Sequence, residues 1–257
     1  MQTRNNKKIS IFLSPHYDDV VFSLGGFIQS KAVNSYIVTI FTGLPPNAEV
    51  GGWDKKNGMT SAAESLEIRK NENIESAISL SLEGDDCIDL DFIDNQYREK
   101  NTNIYILEEN IFKALKNMLV KLNYEKINID IFAPLYNFHI DHAITQRVAL
   151  RIENEKLCEN LFFYEEIPYV FLPKRIFQSL YKKNKNSNTF RGSIKAQPVF
   201  LDRHVFFKKL LAMRKFESQL RGRGKYLILF SSLYAKLKSI IYLHPLMYCE
   251  FIFAKNK

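Results

Sequence analysis

The sequence predicts an α/β protein with a Rossmann-like, mostly parallel sheet and helices on both faces. Short apolar, β-branched runs alternate along the chain with longer segments whose apolar residues recur at helical spacing. Hydrophobic residues make up 46% of the 257 residues, so a packed core is expected rather than disorder. Two apolar runs end at clusters of histidine and aspartate, and ligands of parallel sheets usually bind at strand ends.

The first predicted elements are a strand and a helix. Residues 8–13 are a short apolar run, which is typical of a buried strand. Residues 19–32 place valine, leucine and phenylalanine side chains on one helical face. Gly25 and Gly26 lie inside this helix, where glycine is unfavourable unless another part of the protein packs closely on the backbone. We therefore expect close packing at this pair.

A second strand, a loop and a long helix follow. Residues 36–42 are rich in β-branched side chains and end at the turn sequence Gly-Leu-Pro-Pro. Residues 47–58 contain three glycines and the only tryptophan, which is typical of a loop that carries binding groups. Apolar side chains at helical spacing predict a helix over residues 60–82.

The alternation continues to about residue 173 and then weakens. The remaining predicted strands are residues 88–93, 127–135 and 161–164, and the remaining helices are residues 104–122, 141–150 and 206–220. Late strands or capping structure are predicted at residues 227–230 and 248–253, and a polar surface loop at residues 182–188. We expect one domain over residues 1–257, with a core at about residues 8–172 and a C-terminal capping extension at about residues 173–257.

Charge and composition exclude several classes of protein. The formal net charge is +8, but no aromatic-basic recognition motif is present, so we expect no nucleic acid partner. The Lys-, Asn- and Ile-rich composition of the chain can account for this charge by itself, and an anionic group on the substrate is the alternative explanation. No apolar run approaches the ~20 residues that span a bilayer, so no integral membrane segment is expected.

Cysteine usage and the N-terminal residues predict a cytoplasmic protein. Cys87, Cys158 and Cys249 are scattered and share no metal-binding spacing, which predicts reduced thiols. The apolar run that follows the basic residues 1–8 is too short for the core of a signal peptide.

The two clusters offer the ligands that a zinc-like ion prefers, imidazole nitrogen and carboxylate oxygen. Their side chains are His16, Asp18, Asp19, His139, Asp141 and His142. Two neighbouring aspartates cannot easily point at one ion, so one can bind metal while the other acts as a base. Likewise, one histidine of the second cluster can bind metal while the other donates a proton or stabilises an oxyanion. The sequence therefore predicts a hydrolytic metal site built where two strands end.

These motifs resemble those of the PIG-L/LmbE-type N-deacetylases. Residues 14–19, Ser-Pro-His-Tyr-Asp-Asp, with Ser-Leu-Gly-Gly at residues 23–26, resemble the first motif of the family. Residues 134–142, which end in His-Ile-Asp-His, are similar to its second motif. Weaker similarities at residues 41–45, 69–77, 94–98, 164–169 and 209–219 extend the resemblance, the last of them to the bacterial branch.

The resemblance implies a Rossmann-like fold and a divalent metal, normally Zn²⁺, although Fe²⁺, Co²⁺ or Mn²⁺ also suit such ligands. It further implies hydrolysis of an N-acetyl group on an amino sugar or glycoconjugate. Carried over by motif position, the metal ligands are His16, Asp19 and His142. The catalytic residues are Asp18 as the base, His139 at the tetrahedral intermediate or leaving amine, and Asp141, which orients a histidine.

Four further residues are candidate substrate contacts. Arg69 lies where the family tends to place a substrate-binding arginine, and Tyr97 and Arg98 are similar candidates. Trp53 is a candidate for stacking on a sugar, since aromatic rings suit the apolar face of a pyranose. The bulky residues 136–138 replace a glycine-rich stretch of the family, which bears on the choice of substrate.

Two other functions fit the same residues. One is a metal-dependent amidase that acts on a conjugate without a sugar. The other is a non-catalytic protein that binds a sugar or a nucleotide. The sequence does not identify the acetylated substrate, the metal in the cell or the oligomeric state.

Overall fold

The apolar runs of the chain assemble into one central sheet. The computed structural model describes residues 8–46, 49–122, 128–135, 139–171, 194–221 and 225–255. The strands are β1 (Lys8–Ser14), β2 (Ser35–Thr39), β3 (Cys87–Asp89), β4 (Asn128–Pro134), β5 (Asn160–Tyr164), β6 (Ile194–Leu201) and β7 (Tyr248–Lys255). Within these ranges they form a seven-stranded sheet in the order β3-β2-β1-β4-β5-β7-β6. The first five strands in that order pair in parallel, and β7 runs antiparallel to both β5 and β6.

Helices cover both faces of this sheet. They are α1 (Asp19–Ser30), α2 (Gly52–Lys56), α3 (Ala62–Ser79), α4 (Ile104–Leu122), α5 (Ile140–Asn154), α6 (Arg203–Arg214), α7 (Glu217–Leu220) and α8 (Lys225–Ile241). Ile9, Ile11 and Leu13 of β1 pack with α4 and α5 in one apolar cluster. Phe12 points to the opposite face and packs with α1, α3 and α6. Alternate side chains of β1 thus enter two cores, and the predicted α/β fold is confirmed.

Strand β1 lies where the strand order reverses. It pairs with β2 on one side and with β4 on the other, and Phe12 of β1 is in register with Phe132 of β4. The segments that leave β1 and β4 therefore emerge side by side at the carboxyl edge of the sheet. Ligands of doubly wound sheets bind at such a switch point. The topology brings the two histidine clusters to this place.

Several predicted boundaries differ from the structure. The predicted loop at residues 47–58 contains helix α2, and the predicted helix at residues 206–220 is broken at Lys215 into α6 and α7. Residues 227–230 lie in α8, because a short apolar run carries too little periodicity to separate strand from helix. Strand β6 is not among the predicted strands. The predictions for residues 136–138 and 182–188 concern residues outside the described ranges.

Helix α1 is kinked at Leu24, where φ is −121° and ψ is 17°. The kink frees backbone N–H groups of the next turn, and two of them donate to the Glu250 carboxylate of β7. The Gly26 N–H lies 3.0 Å and the Phe27 N–H 2.8 Å from its oxygens. A side chain at Gly26 would collide with Leu201 of β6, so the predicted close packing at the glycine pair is confirmed.

Lys209 of α6 completes this buried polar centre. Its Nζ donates to Glu250 Oε1 at 2.6 Å and to the Ser23 carbonyl at 3.2 Å. Both side chains are almost fully buried, and burial makes an unpaired charge very unfavourable. The ion pair therefore ties α1 to β7 and α6. Among the described residues, none of the helices combines the length and the apolar character required to cross a membrane.

Removing one partner of this pair should destabilise the fold strongly. We expect Lys209→Met to lower the free energy of unfolding by about 3–5 kcal/mol, because it leaves the Glu250 carboxylate buried without its cation. Lys215→Met is the matched control, since its ion pair with Glu75 is largely exposed and should contribute less than about 1 kcal/mol. Denaturant unfolding of both variants measures the difference. Equal losses would contradict the role of the buried pair.

Candidate active site

The two histidine clusters meet at the carboxyl ends of β1 and β4. His16 lies in the turn after β1, and Asp19 is the first residue of α1. His139 precedes the first turn of α5, which carries Asp141 and His142. The ring centroids of His16 and His142 are 5.5 Å apart, and those of His16 and His139 are 5.2 Å apart.

Three side chains share a space that fits one cation. The Oδ2 atom of Asp19 lies 3.1 Å from His16 Nδ1 and 3.3 Å from His142 Nε2. The ligand atoms of the three residues all lie within 4.8 Å of one another. His142 Nε2 is buried and has no hydrogen-bond partner among the described residues. A buried nitrogen lone pair that faces a carboxylate without a hydrogen bond is what a metal ligand requires, so the set fits a divalent ion.

A carboxylate holds the far nitrogen of each histidine in this set. His16 Nε2 lies 3.2 Å from Asp141 Oδ2, and His142 Nδ1 is hydrogen-bonded to Glu166. When each far nitrogen donates its proton to the carboxylate, the near nitrogen is left with a free lone pair. This arrangement fixes the tautomer and orientation of histidines that bind metals.

Glu166 is the site residue that the sequence analysis did not single out. It lies two residues beyond β5, the strand next to β4, and its side chain is buried. The signal that could have found it is the same as for the two clusters, an acid directly after an apolar strand of the parallel sheet.

Asp141 is fully buried, and both of its carboxylate oxygens accept hydrogen bonds. Its Oδ1 accepts from Arg98 Nη2, and its Oδ2 accepts from the Asn95 backbone N–H at 3.0 Å. His16, His139 and Asp141 form a second group with metal-binding spacing. That group fits an ion less well, because the oxygens of Asp141 are already engaged by Arg98, Asn95 and His16.

The cluster of Asp19, His142 and Glu166 favours positive charge at its centre. Burial alone would lower the pKa of His142, but the Asp19 and Glu166 carboxylates raise it to about 10. Burial would raise the pKa of Asp19, yet the neighbouring His142 holds it below its usual range. A proton or a metal cation can supply the charge that these groups stabilise.

Asp18 and His139 border this cluster and line the same cavity. Burial raises the pKa of Asp18 to about 6, with a further contribution from the charge of Asp19. Burial lowers the pKa of His139 to about 4, with a further contribution from the charge of His16. His139 Nδ1 accepts from the Asp141 N–H at 3.3 Å, so its neutral ring carries the proton on Nε2.

A cavity of about 650 Å³ opens beside the cluster. Its lining includes Trp53, Arg69, Gln96 and Gln219 together with apolar side chains such as Phe22, Phe171 and Phe230. Trp53 is 54% exposed, and its Nε1 donates to Gln219 Oε1 at 3.1 Å. Both Trp53 and Arg69, predicted as substrate contacts, therefore border the space beside the candidate metal ligands.

Tyr97 and Arg98, the other predicted substrate contacts, do not line this cavity. Tyr97 donates its hydroxyl hydrogen bond to Asp54, which also pairs with Arg69. The Arg98 guanidinium contacts Asp141 and lies 5.2 Å from the centre of the Phe41 ring. In this structure the two side chains support residues of the site instead of facing the cavity.

Comparison with solved structures agrees with this architecture. The A40926 pseudoaglycone deacetylase is 20% identical, with a TM-score of 0.74 over 97% of this chain and 96% of that protein. A zinc-inhibited form of teicoplanin deacetylase is 16% identical, with a TM-score of 0.75 over 96% of this chain and 97% of that protein. The 4-carboxy-2-hydroxymuconate hydratase of Pseudomonas putida, at 15% identity, has a TM-score of 0.57 over 98% of this chain and 97% of its own. At these identities the likeness shows the fold alone.

Sequence comparison identifies the family to which this chain belongs. No curated protein matches the chain by sequence. The model of the PIG-L family, described as GlcNAc-PI de-N-acetylase, matches residues 11–153. This match spans more than half of the 257 residues and includes both histidine clusters. The chain therefore belongs to the PIG-L family.

Proposed function

We propose that this protein is a divalent-metal-dependent N-deacetylase that hydrolyses the N-acetyl group of an amino sugar or glycoconjugate. The observation that carries the proposal is the convergence of His16, Asp19 and His142 on one space, with Asp18 and His139 beside it at the cavity. Membership of the PIG-L family supports the reaction class. The products are acetate and a free amine, and the cell compartment that we propose is the cytoplasm.

The proposed metal ligands are His16 Nδ1, one carboxylate oxygen of Asp19 and His142 Nε2. A divalent ion at this position supplies Lewis acidity, which lowers the pKa of water and polarises a carbonyl. Asp141 and Glu166 hold the two imidazoles in the tautomers that such binding needs. Zn²⁺ is the ion that we propose, and Fe²⁺, Co²⁺ and Mn²⁺ remain alternatives because their ligand preferences overlap.

Asp18 is the proposed general base. It lines the cavity next to the metal ligand Asp19 but does not belong to the ligand set. A carboxylate in this position can take a proton from attacking water and pass it to the leaving amine. His139 faces the same cavity and carries its proton on Nε2, which suits donation to the oxyanion of a tetrahedral intermediate.

Arg69 and Trp53 are the proposed substrate contacts. Arg69 is 91% buried and lines the cavity, so its guanidinium brings a positive charge to the cavity wall. Asp54 fixes the other end of the guanidinium. This charge suits a hydroxyl-rich sugar or an anionic group on the substrate.

The overall test combines metal analysis with an assay of acetate release. Purified protein is loaded with each candidate ion and incubated with N-acetylhexosamines, nucleotide sugars and simple acetamides. We expect acetate from at least one amino sugar and none from the simple amides. Release from amides alone would favour an amidase without sugar specificity, and metal-free protein that Zn²⁺ does not stabilise would favour a binding protein.

Replacing the proposed base should separate chemistry from metal binding. We expect Asp18→Asn to lower kcat by about 10²–10⁴-fold, because the amide cannot accept the proton of water. Metal content should stay at the wild-type level, since Asp18 lies outside the ligand set. Acetate release at the wild-type rate would disprove the assignment.

The carboxylate behind His142 should control metal affinity. We expect Glu166→Gln to weaken Zn²⁺ binding by about 10–100-fold, because the carboxylate no longer orients the imidazole. Glu165→Gln is the matched control, since Glu165 lines a different, smaller cavity that includes Lys209 and Glu250. Competition with a fluorescent chelator measures both affinities, and a similar loss in the two variants would refute the role of Glu166.

Loss of the buried arginine should weaken substrate binding. We expect Arg69→Met to raise KM by about ten- to a hundredfold, because a charged hydrogen bond to the substrate disappears. Arg69→Lys should recover part of the effect. Lys70→Met is the control, because Lys70 is exposed and pairs with Asp89 away from the cavity lining. An unchanged KM in Arg69→Met would show that the residue is only structural.

A further inference from the structure

Helix α2 exposes its tryptophan and buries its aspartate. Trp53 is 54% exposed, whereas Asp54 is 1% exposed and the other four residues of this helix are exposed. A short surface helix normally buries its apolar side chain and leaves its acid in water. A helix of this length is also unstable by itself, so contacts with the rest of the protein must hold it in place. The contacts of Asp54 are therefore central to the placement of α2.

Three side chains from two other parts of the chain donate to the Asp54 carboxylate. Its Oδ1 accepts from Nη2 of Arg69 in α3, and its Oδ2 accepts from the Tyr97 hydroxyl. The same Oδ2 lies 3.3 Å from Nε2 of Gln96, which belongs with Tyr97 to the turn after β3. Burial raises the pKa of Tyr97 to about 12, with a further contribution from the hydrogen bond to Asp54, so the hydroxyl keeps the proton that it donates. One carboxylate therefore joins α2 to α3 and to this turn.

The contact between Asp54 and Arg69 is a buried ion pair. Loss of either partner leaves a buried charge without its counter-charge, which is strongly unfavourable. Arg69 lines the cavity, and Asp54 is not among the described residues of that lining. The direction in which the guanidinium meets the cavity thus depends on a carboxylate that lies behind it.

The network around Asp54 reaches the proposed metal ligands. Gln96 Nε2 also donates to Asp94 Oδ2 at 3.1 Å, and that oxygen lies 3.9 Å from His16 Nε2. Gln96 and Asp94 both line the cavity. A side chain at Gly51, the residue before α2, would collide with the Gln96 amide, so the backbone packs closely on this glutamine. The start of α2 is therefore fixed relative to the side of the cavity that carries His16.

We propose that Asp54 is a positioning residue that fixes the two proposed substrate contacts, Arg69 and Trp53, relative to each other. Its carboxylate holds the guanidinium of Arg69, and its backbone carries the ring of the preceding residue, Trp53. Under the proposed function, on which this inference rests, the substrate meets both side chains in one preset arrangement. Contacts that are already ordered do not lose freedom when the substrate binds, which strengthens binding. Asp54 thus acts on substrate affinity without touching the substrate.

The variant Asp54→Asn tests the proposal at nearly constant side-chain size. Its amide removes the negative charge beside Arg69 and places a second donor against the Gln96 amide. We expect KM for acetate release from N-acetylglucosamine to rise about tenfold, because the guanidinium is no longer held in its binding orientation. The kcat and the Zn²⁺ content should stay near the wild-type values, since Asp54 lies outside the proposed ligand set.

The matched control is Glu49→Gln, which changes an exposed acid in the segment before α2. We expect it to leave KM at the wild-type value. A wild-type KM in Asp54→Asn, or an equal rise in Glu49→Gln, would overturn the proposal.

A double-mutant cycle separates positioning from a general structural role. Asp54→Asn should raise KM about tenfold in the wild-type chain but by a clearly smaller factor in Arg69→Met, because both changes remove the same contact. The double variant should also melt at a higher temperature than Arg69→Met, since it no longer contains a buried carboxylate without its cation. An equal rise of KM in both backgrounds would show that Asp54 does not act through Arg69, and would overturn the proposal.

The fluorescence of Trp53 tests the coupling to α2 without any substrate, because Trp53 is the only tryptophan of the chain. We expect Asp54→Asn to lower the anisotropy of its emission and to increase quenching by acrylamide, because α2 loses its buried contact. Glu49→Gln should match the wild-type protein in both measurements. Unchanged anisotropy and quenching in Asp54→Asn would overturn the proposal.

The fluorescence measurement also distinguishes failure of this inference from failure of the proposed function. Wild-type protein that releases no acetate from any N-acetyl sugar would refute the proposed function. The anisotropy and quenching of Trp53 would still show whether Asp54 holds α2 in place.

Discussion

His16 and His142 face one shared space because a buried carboxylate holds each imidazole from behind. Asp141 fixes the first ring and Glu166 the second, so both free lone pairs turn toward Asp19. Buried carboxylates and imidazoles are unfavourable unless they are paired or hydrogen-bonded, and these contacts pair them. The shared orientation of the two imidazoles goes together with three other features of the structure. They are the position of β1 between β2 and β4, the pairing of Arg98 with Asp141, and the location of the cavity.

The C-terminal strands and helices hold the first motif in place. Glu250 of β7 accepts hydrogen bonds from the N–H groups that the kink in α1 exposes, and Lys209 neutralises it. Helix α1 begins at Asp19, so the contact anchors the element that presents a proposed metal ligand. The same part of the chain supplies α8, whose first turns line the cavity. The residues after the family match thus anchor the helix that carries the first motif and form part of the cavity lining.

The fold alone does not define the reaction. A hydratase shares the architecture at a TM-score of 0.57, while the two deacetylases reach 0.74 and 0.75. The side chains at the switch point of the sheet carry the chemistry that the fold leaves open. Asp18 and Asp19 are neighbours in sequence, yet they differ in contacts and in the direction of their pKa shifts. Such differences come from the environment of each carboxylate, which is why the function has to be argued from the site.

The sequence by itself determined the α/β class, the alternation up to β5, and the two clusters that meet at the strand ends. These features are local, since hydrophobic periodicity and motif spacing lie within short windows of the chain. Only the tertiary structure decided four other features. They are strand β6, the helical conformation of residues 227–230, the role of Glu166, and the ion pair between Arg98 and Asp141. Each of these features depends on which residues, distant in the sequence, become neighbours when the sheet assembles. The sequence of α8 shows apolar residues, but only packing decides that its small side chains face inward and its large ones face out.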